Sequence, residues 1–333
     1  MPAAFLHEVL PGLSIAFAGL LVIITVHELG HTIAAVLCGL VVDRINVYLI
    51  AVERGPRGWR LVRLAKPQCS VHARSARPGM PSWRPALVNA AGPAAALALG
   101  GAGLLAAAAV RPERTALLWL SAIAAADCVI NLVPFRLGQS RTDGSRIGEW
   151  LRHPADGRVR EANTALMTEA SWGIRPRNWS PEWLAAVAGQ ADDPTVLAAG
   201  QYLAYVAARD AGRADHADWH LRAALAVTGK LSPALGGTVH AEAAYHAALV
   251  WRDPAWAREY LRRVPRLSQL SPAIVRAQAA IALAAGNWDR AIEASERVLA
   301  APDSAARPGM SVALKDWTAQ IRAEAIAADP RWR

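Results

Sequence analysis

"VIITVHELGHTIAAVLCG", residues 22–39, is the stretch on which the reading of this chain turns. It is apolar enough for a membrane helix, yet it places two histidines and a glutamate within five residues. From Pro11 to Val42 these three are the only ionisable side chains apart from Cys38. Burying such groups in hydrocarbon is costly, so an ionisable residue inside a span marks a functional site by default. The spacing names the chemistry. His27 and His31 stand four apart, so on a helix both imidazoles leave one face and can bind one zinc ion. Glu28 is turned about 100° from His27, which sets it beside the metal. From there it can take a proton from the zinc-bound water, whose pKa the metal lowers toward ~7, and pass it to a leaving amine.

Working outward, the chain divides by composition. It has 333 residues, 53% of them hydrophobic, and still a net charge of +9. The long apolar runs fall in residues 1–135, while 145–333 reads as a charged, Ala-rich soluble protein. Three spans are expected, at about 11–41, 86–110 and 115–135. The first exceeds the ~30 Å hydrocarbon core at 1.5 Å per residue, so it must tilt or end near Gly39. The second is dense in Gly and Ala, which lets helix backbones approach closely and predicts a central place in the bundle. The third is closed by Pro134. No signal-peptide pattern precedes the first run, which is therefore expected to be retained.

Charge sets the expected orientation. The loop from Asp43 to Pro85 has nine Arg or Lys against two acids, residues 1–10 have none, and the link RPER (111–114) is too small to outweigh that loop. The positive-inside rule puts loop 43–85 and the C-terminal half in the cytoplasm and the N-terminus outside. Within the loop, β-branched and aromatic residues flank a Gly-Pro-Arg-Gly turn at 55–58, which predicts a β-hairpin at the membrane surface. The basic excess follows from this topology; no recognition motif or aromatic-interleaved basic helix points to nucleic acid. Cys38, Cys69 and Cys128 lie far apart with no CxxC spacing, so they are expected to be reduced, structural thiols.

After a linker at 151–180, residues 181–333 read as amphipathic helices with turns near 212, 252 and 286. That period of roughly 34–40 residues resembles tetratricopeptide-type helical hairpins, which stack into a solenoid. Trp219, Trp251, Trp256 and Trp288 sit at helical spacing and are expected in its core. His153, His216, His220, His240 and His246 show no ligand spacing with a partner acid.

A catalytic zinc needs a third protein ligand and an open position. Asp127, Asp143, His72 and Glu149 are the candidates near the spans; His72, among basic neighbours, reads as solvated. His27-Glu28-Leu29-Gly30-His31 in the first span, "NAAGP" (89–93) in the second, and Asn131-Leu132-Val133-Pro134 with Asp143-Gly144 closing the third resemble the site-2 protease family of intramembrane zinc metalloproteases. The resemblance covers about residues 10–150.

It implies an all-α membrane protein: a three-span zinc protease core (1–150) with a small cytoplasmic β-hairpin, followed here by the cytoplasmic helical-repeat domain. His27, His31 and Asp143 would be the ligands of one Zn2+ per chain, and Glu28 the catalytic base. Water would reach the site through a polar channel, and the substrate would be the transmembrane helix of a membrane protein, unwound locally to be cut. Asn131 would orient substrate or backbone carbonyls, unless it only caps the helix beside Pro134. Asp127, one turn before it, would bond a ligand imidazole from behind or pair with a polar neighbour in the bundle. The chain departs from the family pattern in three ways. The Asn131–Asp143 gap is longer than the commonest form, Ala96 stands where an amide is expected, and no PDZ-like insertion lies between the spans. The helical repeats offer a surface for a cytoplasmic protein or peptide partner. The competing reading is an inactive, membrane-anchored helical-repeat scaffold; a metal transporter would need more polar residues than the second span offers.

Overall fold

A computed structural model describes residues 2–55, 58–110, 114–137, 140–265, 271–304 and 307–332. Two units separate between Gly157 and Arg158.

In the first unit, α1 runs from Pro2 to Leu37. It stops there because Gly39 adopts φ +75°. Its amide donates to Val36 O at 3.0 Å and the Leu40 amide to Ala35 O at 2.8 Å, the paired bonds of a Schellman ending, in which glycine takes the left-handed position. The first span therefore ends at Leu37, short of residue 41. The chain then enters β1 (Val41–Gly55) and returns along β2 (Gly58–Arg74) as an antiparallel hairpin. The hairpin is longer than its sequence signal, and the central turn residues 56 and 57 lie outside the described residues. Its ladder breaks between Tyr48↔Gln68 and Ile50↔Arg63. Pro67 falls in that break, where a residue with no N–H to donate is tolerated. Burial pushes the Cys69 thiol up from its usual pKa, and all three cysteines are free.

Helices α2 (Trp83–Ala109) and α3 (Arg114–Leu132) complete a bundle with α1; link residues 111–113 lie outside the described residues. As its composition predicts, α2 contacts both other helices and buries Gly92, Ala96, Gly100, Gly103 and Ala107. Among the described residues three helices are long and apolar enough to cross a membrane: Ala16–Leu37, Trp83–Ala109 and Thr115–Leu132. Leu29, Leu97, Leu105, Trp119 and Ile130 are all more than half exposed on them, as a lipid-facing surface requires. After α3 come two short paired strands, β3 (Arg136–Leu137) and β4 (Ser140–Arg141), then α4 (Asp143–Arg152). The stretch 151–180, read as a linker, contains α5 (Pro154–Ser171) and a 3-10 turn at Pro176–Asn178.

The second unit continues with α6 (Pro181–Val187), α7 (Pro194–Asp210), α8 (Ala214–Leu225), α9 (Pro233–Leu249), α10 (Pro254–Arg262), α11 (Pro272–Ala284), α12 (Trp288–Ala300) and α13 (Pro308–Ala328). The helix starts are written locally: Asp193, Ser232 and Asp253 cap their helices by side chain, and a proline follows each, the position whose fixed φ suits a first turn. Helices pair as α7 with α8, α9 with α10 and α11 with α12, across the turns expected near 212, 252 and 286. Gly212, Arg252 and Gly286 all take positive φ there.

The core of this unit is largely alanine around Leu166, Tyr205, Leu221, Tyr245 and Trp317. Trp219 and Trp256, expected inside, are 60% and 52% exposed. Helices that meet through alanine approach too closely to admit an indole between them, so these two stand on the outer faces. Trp179, Trp183 and Trp317 are the buried indoles instead.

Candidate metal centre

The α1 helix carries His27, Glu28 and His31 at 6–7% exposure, and Asp143, the first residue of α4, is equally buried. His27 Nε2 lies 3.1 Å from His31 Nε2 and 3.1 Å from Asp143 Oδ2, and His31 Nε2 lies 3.4 Å from that same oxygen. These atoms form a buried group with the geometry of a metal site. Of the four candidates for a third ligand, Asp143 alone joins the cluster among the described residues. His72 is exposed, and Glu149 pairs with Arg141.

The far sides of the two imidazoles decide their tautomers. His31 Nδ1 is 2.7 Å from the Val88 carbonyl, which can only accept, so Nδ1 carries the proton and Nε2 presents a lone pair. His27 Nδ1 is 2.8 Å from Asp127 Oδ2, and an ionised carboxylate there demands the same tautomer. Two bare imidazole nitrogens and a carboxylate oxygen then crowd one point with no proton among them. Donor atoms held at 2.0–2.1 Å from a zinc ion in a tetrahedron lie about 3.3 Å apart, so the residues present fit such an ion. Glu28 adds an Oε2 that is buried and has no hydrogen-bond partner among the described residues.

Two glycines make the arrangement possible. A β-carbon on Gly92 would sit 2.4 Å from His31 Nε2 and 2.8 Å from His27 Nε2, so α2 leaves a hollow where the imidazoles converge. A β-carbon on Gly144 would meet the Leu132 carbonyl oxygen at 1.9 Å, which seats α4 against the end of α3. The long Asn131–Asp143 gap is closed by the β3–β4 excursion, of which residues 138 and 139 lie outside the described residues. Thr142 fastens its base: Oγ1 donates to Val133 O at 2.8 Å, and the Phe135 amide donates to Oγ1 at 3.2 Å. The extra residues loop out, and Asp143 returns to the foot of α3.

Asn131 does not reach the cluster. Its amide donates to Asp127 Oδ1 at 2.9 Å and to the Asp127 carbonyl at 3.1 Å. Ala96 is fully buried in an apolar cluster with Ile23 and Ala124, surroundings that offer an amide no partner. Sequence reasoning missed Val88 and Thr142. The first acts through a backbone atom that no residue type announces. The second follows a turn whose closure is visible only in three dimensions, although a Thr before an Asp-Gly is a helix-cap signal.

No curated protein and no solved structure matches the chain. A family model does match, over residues 15–113, a segment that includes the HELGH helix and the NAAGP element and stops before Asp127, Asn131 and Asp143. That model is Peptidase family M50, the site-2 protease family, and the segment that carries His27, Glu28 and His31 is similar to it.

Proposed function

We propose that the chain is an intramembrane zinc endopeptidase that cuts a transmembrane segment of a membrane-bound substrate near the cytoplasmic face. The match of residues 15–113 to a metallopeptidase family supports the class of reaction. The observation that carries the reading is the convergence of three potential ligand atoms, His27 Nε2, His31 Nε2 and Asp143 Oδ2, within 3.4 Å of one another. A zinc ion bound there would polarise the scissile carbonyl and acidify a water molecule.

The chain's own groups do the rest. Glu28, beside His27 and with one carboxylate oxygen unpartnered, takes a proton as water adds to the carbonyl carbon. It returns that proton to the amide nitrogen as the carbon–nitrogen bond breaks. Asp127 fixes the His27 ring and raises its basicity as a ligand, and Asn131 holds Asp127 in place. The cluster must be buried because the peptide bond it attacks is buried. By the positive-inside rule the N-terminus lies outside and the second unit in the cytoplasm. There its helix pairs stack as a solenoid that recruits a protein partner or substrate.

Zinc content of the detergent-purified chain tests the site, and cleavage tests the reaction. About one zinc per chain, lost in Asp143→Ala, is expected. Glu28→Gln should keep the zinc and lose hydrolysis of a co-expressed membrane substrate. Absence of zinc from the wild type would favour the inactive scaffold.

A further inference from the structure

The second unit holds a groove of about 1180 Å³ bounded by α10 and α12, with α11 as its floor. Its charges are lopsided. Arg258 and Arg262 stand on one wall, Arg290 and Arg297 on the other, against the single acid Glu293. All four arginines are exposed. Arg262 is paired with Glu259. Among the described residues the side chains of Arg258, Arg290 and Arg297 have no ion-pair partner. Between the walls Ile281, Ala282 and Ala285 of the α11 side, with Leu261 of α10, form an apolar strip, and Gln278 of α11 lines the groove beside it.

We propose that this groove docks an acidic peptide segment of a protein partner, one that alternates carboxylates with apolar side chains. Guanidinium groups on opposite walls can grip carboxylates from both sides, and their planar forks suit that group. The apolar strip takes the side chains between them. A bilayer surface is the poorer fit: it is flat, whereas the arginines line a concavity with an apolar strip. Single-stranded nucleic acid would need aromatic platforms, and the lining has none. The proposal deepens the reading of the second unit as a recruiting surface and does not depend on zinc or on Glu28.

The test uses the full chain in phosphatidylcholine nanodiscs. The probe is a short fluorescein-labelled peptide of Glu and Leu, with the same peptide carrying Gln for Glu as its neutral control. Anisotropy should show tighter binding of the Glu peptide. The combined variant Arg258→Glu, Arg290→Glu, Arg297→Glu should weaken it about tenfold or more, with an unchanged melting temperature. Arg213→Glu, outside the groove, should leave it unchanged. Equal binding of the Glu peptide by wild type and the combined variant would overturn the groove while leaving a recruiting role elsewhere on the unit. Equal binding of both peptides would overturn the acidic specificity. Loss of peptide binding in discs containing phosphatidylglycerol would overturn the peptide in favour of a lipid surface.

Discussion

The Asp127 carboxylate stands 2.8 Å from His27 Nδ1, on the edge of the ring opposite Asp143. One imidazole thus bridges two carboxylates, and only Asp143 is placed to meet a metal. Asn131, one turn further along α3, closes the chain of contacts at 2.9 Å. Outer carboxylates of this kind orient a ligand and strengthen it as a base. Asp127→Ala is therefore expected to weaken zinc binding by roughly tenfold to hundredfold without unfolding the bundle. Chelator competition on the purified variant checks it; unchanged affinity would make Asp127 a packing residue.

Gly92 is the second determinant. An added methyl group there would occupy the space of both ligating nitrogens, and the helix backbone behind it cannot retreat without opening the α1–α2 contact. Gly92→Ala should abolish zinc retention. Gly101→Ala, on the same helix but with open space around its β-carbon, should retain zinc and leave stability unchanged or raise it by up to about 1 kcal/mol. Metal content and thermal melts of the two proteins separate the site from the helix.

These contacts show where the sequence was readable. Helical periodicity alone converges His27 and His31, because spacing within one helix is local. The end of α1 was half legible, since Gly39 announces a stop that the apolar run hides. Asp143 could be chosen over Asp127, His72 and Glu149 only by resemblance, because its approach depends on how β3 and β4 fold out of the way. Val88 was invisible, as its carbonyl would be the same with any residue there. Trp219 and Trp256 were misplaced because periodicity tells which residues share a face but not how close the next helix comes.

The three inter-helix turns of the second unit offer a direct comparison. Gly212 and Gly286 take φ of +73° and +71° at no steric cost, while Arg252 takes +54° with a β-carbon in the way. A side chain in that region costs about 1–2 kcal/mol, offset partly by glycine's greater freedom in the unfolded chain. Arg252→Gly should stabilise the unit by up to about 1 kcal/mol. A higher denaturation midpoint with unchanged slope is the expected result.

Arg276 is fully buried, lies 4.0 Å from the Tyr245 ring centroid and pairs with Glu242, which also accepts from the Tyr205 hydroxyl at 3.2 Å. Deleting one partner leaves an uncompensated charge in a dry core, so Glu242→Ala should cost about 3–5 kcal/mol. Replacing the pair together, as Glu242→Leu with Arg276→Met, should recover most of that loss, because neither charge is then stranded. If the double replacement is as unstable as the single one, the pair contributes more than its own compensation.

His246 gives the second unit a pH dependence of definite sign. It is completely buried between the rings of Tyr205 and Trp251, and neither ring nitrogen has a hydrogen bond among the described residues. Burial, reinforced by Arg209 and opposed by Asp218 at 3.6 Å, pushes its pKa down to about 4. The unfolded chain takes up its proton near pH 6.5, so between the two values the unfolded state binds more protons and stability falls as the pH falls. The loss begins near pH 6.5 and is complete below about 4, where it reaches about 3 kcal/mol. His220, also held at about 4, adds to it in the same direction. His246→Phe removes one titrating group while keeping a flat ring between its neighbours. Its melting temperature should fall less steeply than the wild type's from pH 7 to pH 4.5, and parallel curves for the two proteins would show that His246 takes up its proton at the same pH in the folded chain as in the unfolded one.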